Sequence, residues 1–132
     1  MLDLKTMASP ARIPLKATQA PVMQPGQVVR ELAQILWRKL TAYVGGAKDT
    51  VAVDRWISGD SPDTESGERL RLGFEVARIL QSRESAPLIQ AWMTGLNPGL
   101  GDRSPIRLLR EESPADSRVR LIRAAQAFAA RG

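Results

Sequence analysis

The stretch VVRELAQILWRKLTAYVGG, residues 28–46, decides the fold class of this 132-residue chain. Its apolar residues recur every three or four positions: Val28, Leu32, Ile35, Leu36, Leu40 and Tyr43. This spacing predicts an amphipathic helix. Gly45-Gly46 predicts its end, because glycine readily adopts the left-handed conformation of helix C-caps. We expect Trp37 and Tyr43 to lie near one face of this helix and to belong to the core.

The remainder of the chain also favours helices. Apolar residues at helical spacing predict a short helix within 47–57 and further helices over 66–81, 86–94 and 114–130. Ser104-Pro105 and Ser113-Pro114 predict two helix starts, because a serine hydroxyl caps the first turn and proline presets its backbone angle. Three glycines and a proline within 95–101 exclude regular structure there. We expect the last helix to bury five side chains: Val119, Ile122, Ala125, Phe128 and Ala129. The predicted fold class is all-α.

Composition divides the chain into three parts. Residues 1–26 hold four of the nine prolines and no helical period, which predicts a flexible Pro-rich tail. We expect residues 27–82 to form a helix-turn-helix-like domain and residues 83–132 to form a small C-terminal helical domain. With 43% apolar residues, the chain suits one domain or two very small ones that share a core.

The residue types that are absent narrow the function. The chain has no cysteine and no histidine, which excludes disulfides, thiolate sites, imidazole bases and most zinc and haem sites. We therefore expect no catalytic residue, no metal and no cofactor, and a binding protein rather than an enzyme. Glu111-Glu112 is predicted to be a solvated helix end, because adjacent side chains on a helix point apart.

Charge and hydropathy indicate which partners and which cellular location we expect. The net charge is +5, and 15 of the 19 basic residues are arginines, whose planar forks suit phosphates and carboxylates. No apolar run reaches the roughly 18 residues that span a bilayer, so we expect no membrane partner and a cytoplasmic location.

The run from Leu40 to Pro62 resembles the helix-turn-helix of the Xre family of regulators. It places a glycine-containing turn before a short helix that ends in Arg55-Trp56. The resemblance implies that the second helix enters the major groove of DNA. Its candidate DNA-binding residues are Lys48, Thr50, Val53, Asp54 and Arg55. The alternative is a plain pair of helices around a core tryptophan, and the zero net charge of residues 28–82 favours that alternative.

A second motif is more specific. The run AWMTGLNPGLGDRSPIRLLR, residues 91–110, with Arg118-Val119 and Ala127-Phe128 after it, is similar to the signature of the antitoxin Xre/MbcA/ParS toxin-binding domain. Asp102 stands where that family usually has a second glycine. From the residues themselves, we expect Asn97 to be extended before Pro98, Gly99 and Gly101 to permit a tight turn, and Leu100 to be buried. Arg103 should point outward beside the cap Ser104.

This resemblance implies a cytoplasmic antitoxin that binds a RES-domain, NAD-consuming toxin and represses its own operon as a homodimer on operator DNA. It also implies that the C-terminal end of the chain blocks the toxin's active site. The candidate toxin-binding residues are Trp92, Asn97, Arg103, Arg107, Arg131 and Gly132. The alternative is a stand-alone regulator, such as a phage would encode, that uses the C-terminal domain for self-association.

Overall fold

The computed structural model describes residues 23–131, which form six α-helices and confirm the all-α prediction. The helices are α1 (Pro25–Val44), α2 (Val51–Ser58), α3 (Thr64–Gln81), α4 (Ala86–Thr94), α5 (Pro105–Glu111) and α6 (Pro114–Ala130). A single 3-10 turn, Pro98–Leu100, lies inside the segment predicted to be irregular. Because α1 begins at Pro25, the last two residues of the predicted tail belong to a helix. The rest of that prediction, residues 1–22, lies outside the described residues.

Side-chain caps fix the starts of three helices. Asp63 accepts a hydrogen bond from the backbone N–H of Ser66 at the start of α3 (2.8 Å). The hydroxyls of Ser104 and Ser113 accept from the N–H groups three residues ahead, at 3.4 and 3.3 Å. These contacts satisfy backbone donors that have no partner within the helix, so both serine-proline starts are confirmed.

Helix α1 is broken at Trp37. This residue has φ 68° and ψ 172°, which lies in a region that is almost restricted to glycine. The Trp37 side chain points away from the core and is 62% exposed. The expectation of a core Trp37 is therefore wrong, although Tyr43 is half-buried against the core. The Trp37 carbonyl accepts a hydrogen bond from the hydroxyl of Thr41 at 2.7 Å.

Two glycines let α1 and α2 approach each other closely. A Cβ atom on Gly45 would lie 2.6 Å from the Trp56 ring, and one on Gly26 would lie 2.9 Å from the Trp56 carbonyl oxygen. Both ends of α1 therefore pack against the C-terminal part of α2. Trp56 thus lies at the contact between the two helices.

A single hydrophobic cluster draws on both halves of the chain. It joins Leu32, Leu36 and Val76 from residues 27–82 with Leu108 and Leu121 from residues 83–132. The core face of α6 follows Ser117, Leu121 and Ala125, four residues apart. Val119 lies on another face and is 57% exposed, so its predicted burial is wrong.

Arg110 on α5 ties the C-terminal half to the end of α1. Its guanidinium lies 4.6 Å from the centre of the Tyr43 ring and donates hydrogen bonds to the carbonyls of Tyr43 (2.9 Å) and Ala47 (3.3 Å). These bonds satisfy carbonyl groups where α1 ends. Among residues 23–131, no helix is long and apolar enough to cross a membrane.

Candidate partner-binding groove

The loop after α4 is organised around Asn97. This residue is extended, as predicted, and its side-chain oxygen accepts from the N–H of Gly99 at 2.9 Å. Its backbone carbonyl accepts from Leu100 and Asp102, both at 2.9 Å. Leu100 is buried, so its predicted insertion into the core is confirmed. Asn97 thus holds the turn in one shape.

The end of this turn has left-handed backbone at two successive residues. Gly101 has φ 70° and Asp102 has φ 61°. Glycine adopts such angles without steric cost, and aspartate is among the few other residues that tolerate them. Asp102 therefore adopts a conformation that glycine would adopt more easily.

A groove of about 570 Å³ lies between the turn, α4 and α6. Its aromatic wall consists of Trp92 and Phe128, whose ring centres are 6.1 Å apart. The remaining lining residues are Asn97, Gly99, Arg120, Arg123, Ala124, Ala127 and Arg131. No carboxylate is among the described residues that line it, so the groove is both apolar and positively charged.

The helical period of α6 aligns the arginines with the alanines. At 100° per residue, Arg120, Ala124, Ala127 and Arg131 fall within about 60° of one another around the helix axis. An arginine therefore stands at each end of a small-residue floor, and the two are about 16 Å apart along the helix at a rise of about 1.5 Å per residue. The Arg131 guanidinium lies over the Phe128 ring, 3.8 Å from its centre. Within residues 23–131, Arg123 and Arg131 form no ion pair.

Three of the predicted toxin-binding residues meet in this groove: Trp92, Asn97 and Arg131. Arg103 and Arg107 do not line it. Gly132 lies outside the described residues. The structure thus assembles half of the predicted set in one place.

Arg103 is partly buried and its guanidinium is directed towards Glu112. Its guanidinium donates to the Glu112 carboxylate at 2.9 Å, and the Arg103 side chain is only 39% exposed. The same carboxylate, which is 21% exposed, also pairs with Arg120. Glu112 therefore links the turn to α6. The expectation of an outward Arg103 is wrong, because the junction between α5 and α6 brings an acid to it.

Arg107 lies on the exposed face of α5 and pairs with Glu111 one turn later, at 3.0 Å. The hydrogen bond that Arg107 donates to the Glu111 carboxylate, together with the negative charge of that group, raises the pKa of Arg107 above its ordinary value. Glu111 is exposed, as predicted, but both members of the acidic pair have arginine partners.

Six of the nine lining residues were not predicted to bind a partner: Gly99, Arg120, Arg123, Ala124, Ala127 and Phe128. A signal was present for Arg120, Arg123 and Ala124, since they lie on the helix face of Ala127 and Arg131. The wall that α4 provides opposite this face was not visible from the sequence of α6 alone.

The predicted DNA-binding residues are only partly exposed. Lys48, Asp54 and Arg55 are exposed and Thr50 is half-buried, but Val53 is fully buried against the core. Val53 lies on the inner face of the eight-residue α2, so its side chain is unable to reach a DNA base. Asp54 pairs with Arg38 of α1, and Arg55 lies 3.8 Å from Asp60. The exposed charges of α2 thus alternate in sign.

Among residues 23–131, no group of three or more acidic side chains could hold a metal ion. Comparison of the chain with protein families, curated proteins and solved structures found no match. The function is therefore argued from the groove and from the sequence motif that shapes it.

Proposed function

We propose that this chain is the antitoxin of a toxin–antitoxin pair, and that it binds and neutralises a RES-domain, NAD-consuming toxin through its C-terminal half. One observation supports this most directly. Trp92 and Asn97, predicted from the motif, and Arg131, predicted from its place at the C-terminal end, lie around a single groove between α4 and α6.

The chemistry of the groove supports binding rather than catalysis. Its ionisable side chains are arginines, which stay protonated at physiological pH and therefore make poor general acids or bases. Tryptophan and arginine are the residue types that dominate protein interfaces, because they combine apolar area with directed hydrogen bonds. An open groove with such a lining suits a protein partner.

The proposal includes repression of the chain's own operon through α2, acting as a homodimer. Lys48 and Arg55 are the exposed basic residues near the two ends of this helix. Asp54 and Asp60 offset them, so a single copy has little net attraction for phosphates. A dimer would double the number of basic contacts.

Co-expression with the toxin tests the main proposal. A RES-type toxin encoded beside this gene should co-purify with the chain, and cells should retain their NAD and continue to grow. The Arg131→Glu variant should co-purify less toxin, whereas Arg83→Glu, at an exposed arginine outside the groove, should match the unmodified chain. A toxin that stays fully active and does not co-purify would contradict the proposal.

A gel-shift titration tests the DNA-binding part. The logarithm of affinity for the promoter DNA should fall with the logarithm of salt concentration by about 0.9 for each phosphate neutralised. Lys48→Ala and Arg55→Ala should each reduce that slope. Promoter binding by a chain that neutralises no toxin would favour the stand-alone regulator, and a slope near zero would exclude operator DNA.

A further inference from the structure

We infer that the groove between α4 and α6 binds a partner segment in which one bulky apolar side chain is flanked on both sides by carboxylates. This inference rests on the proposed function, because it specifies the chemistry of the protein that the chain would bind. It follows from the order of residues along the groove and from their charges.

The centre of the groove is built for an apolar side chain. Ala124 and Ala127 are one turn apart on the same face of α6, and their short side chains leave space above them. Trp92 and Phe128 form the wall beside this floor, with their ring planes tilted by 50°. A leucine or phenylalanine placed here would contact both aromatic rings and lose most of its exposure to water.

The two ends of the groove are built for acids. Arg120 and Arg131 stand at either end of the alanine floor, and Arg123 lies beside it. Glu112 neutralises part of the charge of Arg120, but Arg123 and Arg131 form no ion pair with any residue from 23 to 131. Guanidinium groups pair with carboxylates through short, charge-assisted hydrogen bonds.

The spacing of the arginines favours a peptide segment over a small phosphorylated ligand. Arg120 and Arg131 are about 16 Å apart along the helix, which an extended segment of about five residues spans. A nucleotide phosphate is recognised when several cationic groups converge on one point, whereas these arginines are distributed along the helix. The geometry therefore fits a short acidic segment with a central apolar residue.

A synthetic peptide provides the first test. The probe is Glu-Glu-Ser-Leu-Ser-Glu-Glu, titrated into the full-length chain while the indole N–H signal of Trp92 is followed by NMR. We expect the Trp92 signal to shift in a saturable way in low salt. The matched peptide, in which glutamine replaces every glutamate, should bind at least about five-fold more weakly. Equal binding of the two peptides, or tighter binding of AMP, would overturn the inference.

A matched pair of variants provides the second test. Ala127→Glu places a carboxylate on the floor of the groove, whereas Gln126→Glu adds the same charge to another exposed face of α6. We expect Ala127→Glu to weaken peptide binding about ten-fold, and Gln126→Glu to change it less than two-fold. Thermal unfolding of both variants checks that they fold equally well. Equal effects of the two substitutions would overturn the inference.

The two proposals can fail separately. If the toxin co-purifies with Ala127→Glu as well as with the unmodified chain, the groove inference is wrong and the antitoxin function stands. If the peptide binds as expected but no toxin does, the antitoxin function is wrong and the groove chemistry stands.

Discussion

The side-chain amide of Gln90 on α4 donates a hydrogen bond to the backbone carbonyl of Ile35 on α1, at 2.8 Å. Ile35 lies two residues before the break at Trp37, where the helical hydrogen-bond ladder is interrupted. A buried carbonyl without a donor is costly. Gln90 therefore stabilises a break that the local sequence does not favour, and it connects that break to the helix that carries Trp92.

Substitutions at Trp37 should reverse the usual order of helix preference. In an ordinary helix, alanine is about 1 kcal/mol more stable than glycine. At φ 68° and ψ 172°, alanine is strained and glycine is not, so we expect Trp37→Gly to be more stable than Trp37→Ala by about 1 kcal/mol. Urea unfolding measures the difference. At exposed Gln34, the alanine variant should be more stable than the glycine variant. If alanine were the more stable at Trp37 as well, the break would be excluded.

Gly45→Ala should destabilise the chain by about 1–3 kcal/mol, because the added methyl would overlap the Trp56 ring. Gly67→Ala is the matched control in α3. Its Cβ would lie 3.9 Å from Pro62, in ordinary contact, and alanine should stabilise the helix by about 0.5–1 kcal/mol. Chemical denaturation measures both. Similar effects at the two glycines would contradict the close approach of Trp56.

Asp102 should respond to substitution according to its left-handed backbone. We expect Asp102→Gly to be more stable than Asp102→Ala by about 1 kcal/mol, because alanine places a Cβ against the following carbonyl in this conformation. The original aspartate should fall between them. The measurement is again the free energy of unfolding in urea, and equal stability of the glycine and alanine variants would exclude the left-handed turn.

The cap at Asp63 should make stability depend on pH. The backbone N–H of Ser66 donates to its carboxylate and holds the pKa of Asp63 below its ordinary value of 3.8. A lowered pKa in the folded state stabilises the chain above pH 3.8, and this stabilisation is lost as the pH falls through the folded pKa.

We therefore expect the melting temperature of the unmodified chain to exceed that of Asp63→Asn at pH 6, because asparagine caps a helix without carrying a charge. The gap should narrow as the pH falls below 3.8. Melting curves at several pH values measure it. A gap that stays constant down to pH 2 would show that the charge of Asp63 contributes nothing.

The sequence predicted what is determined locally. The bounds of α4 and α6 match the expectation because the residues that set them, such as Gly95 after α4 and Ser113 before α6, act within one or two turns of themselves. The compact turn at Asn97 was predictable for the same reason, since its bonds join residues six positions apart or fewer.

The sequence did not predict what depends on distant partners. No proline or glycine marks the break at Trp37, and the hydrogen bond that supports it joins Ile35 to Gln90, 55 residues further along the chain. Arg103 was expected to face outward because nothing near it in sequence shows that the junction of α5 and α6 turns Glu112 towards it. The burial of Val53 was not predicted because it comes from a cluster whose other buried members lie outside α2.

The shared cluster that joins Leu36 of α1 with Leu121 of α6 has a consequence for turnover in the cell. Each half buries its apolar side chains against the other. If a protease cut a connecting segment and the pieces separated, both would therefore unfold. One cleavage would therefore remove the groove between α4 and α6 and the exposed face of α2 together, and no fragment would retain either surface alone.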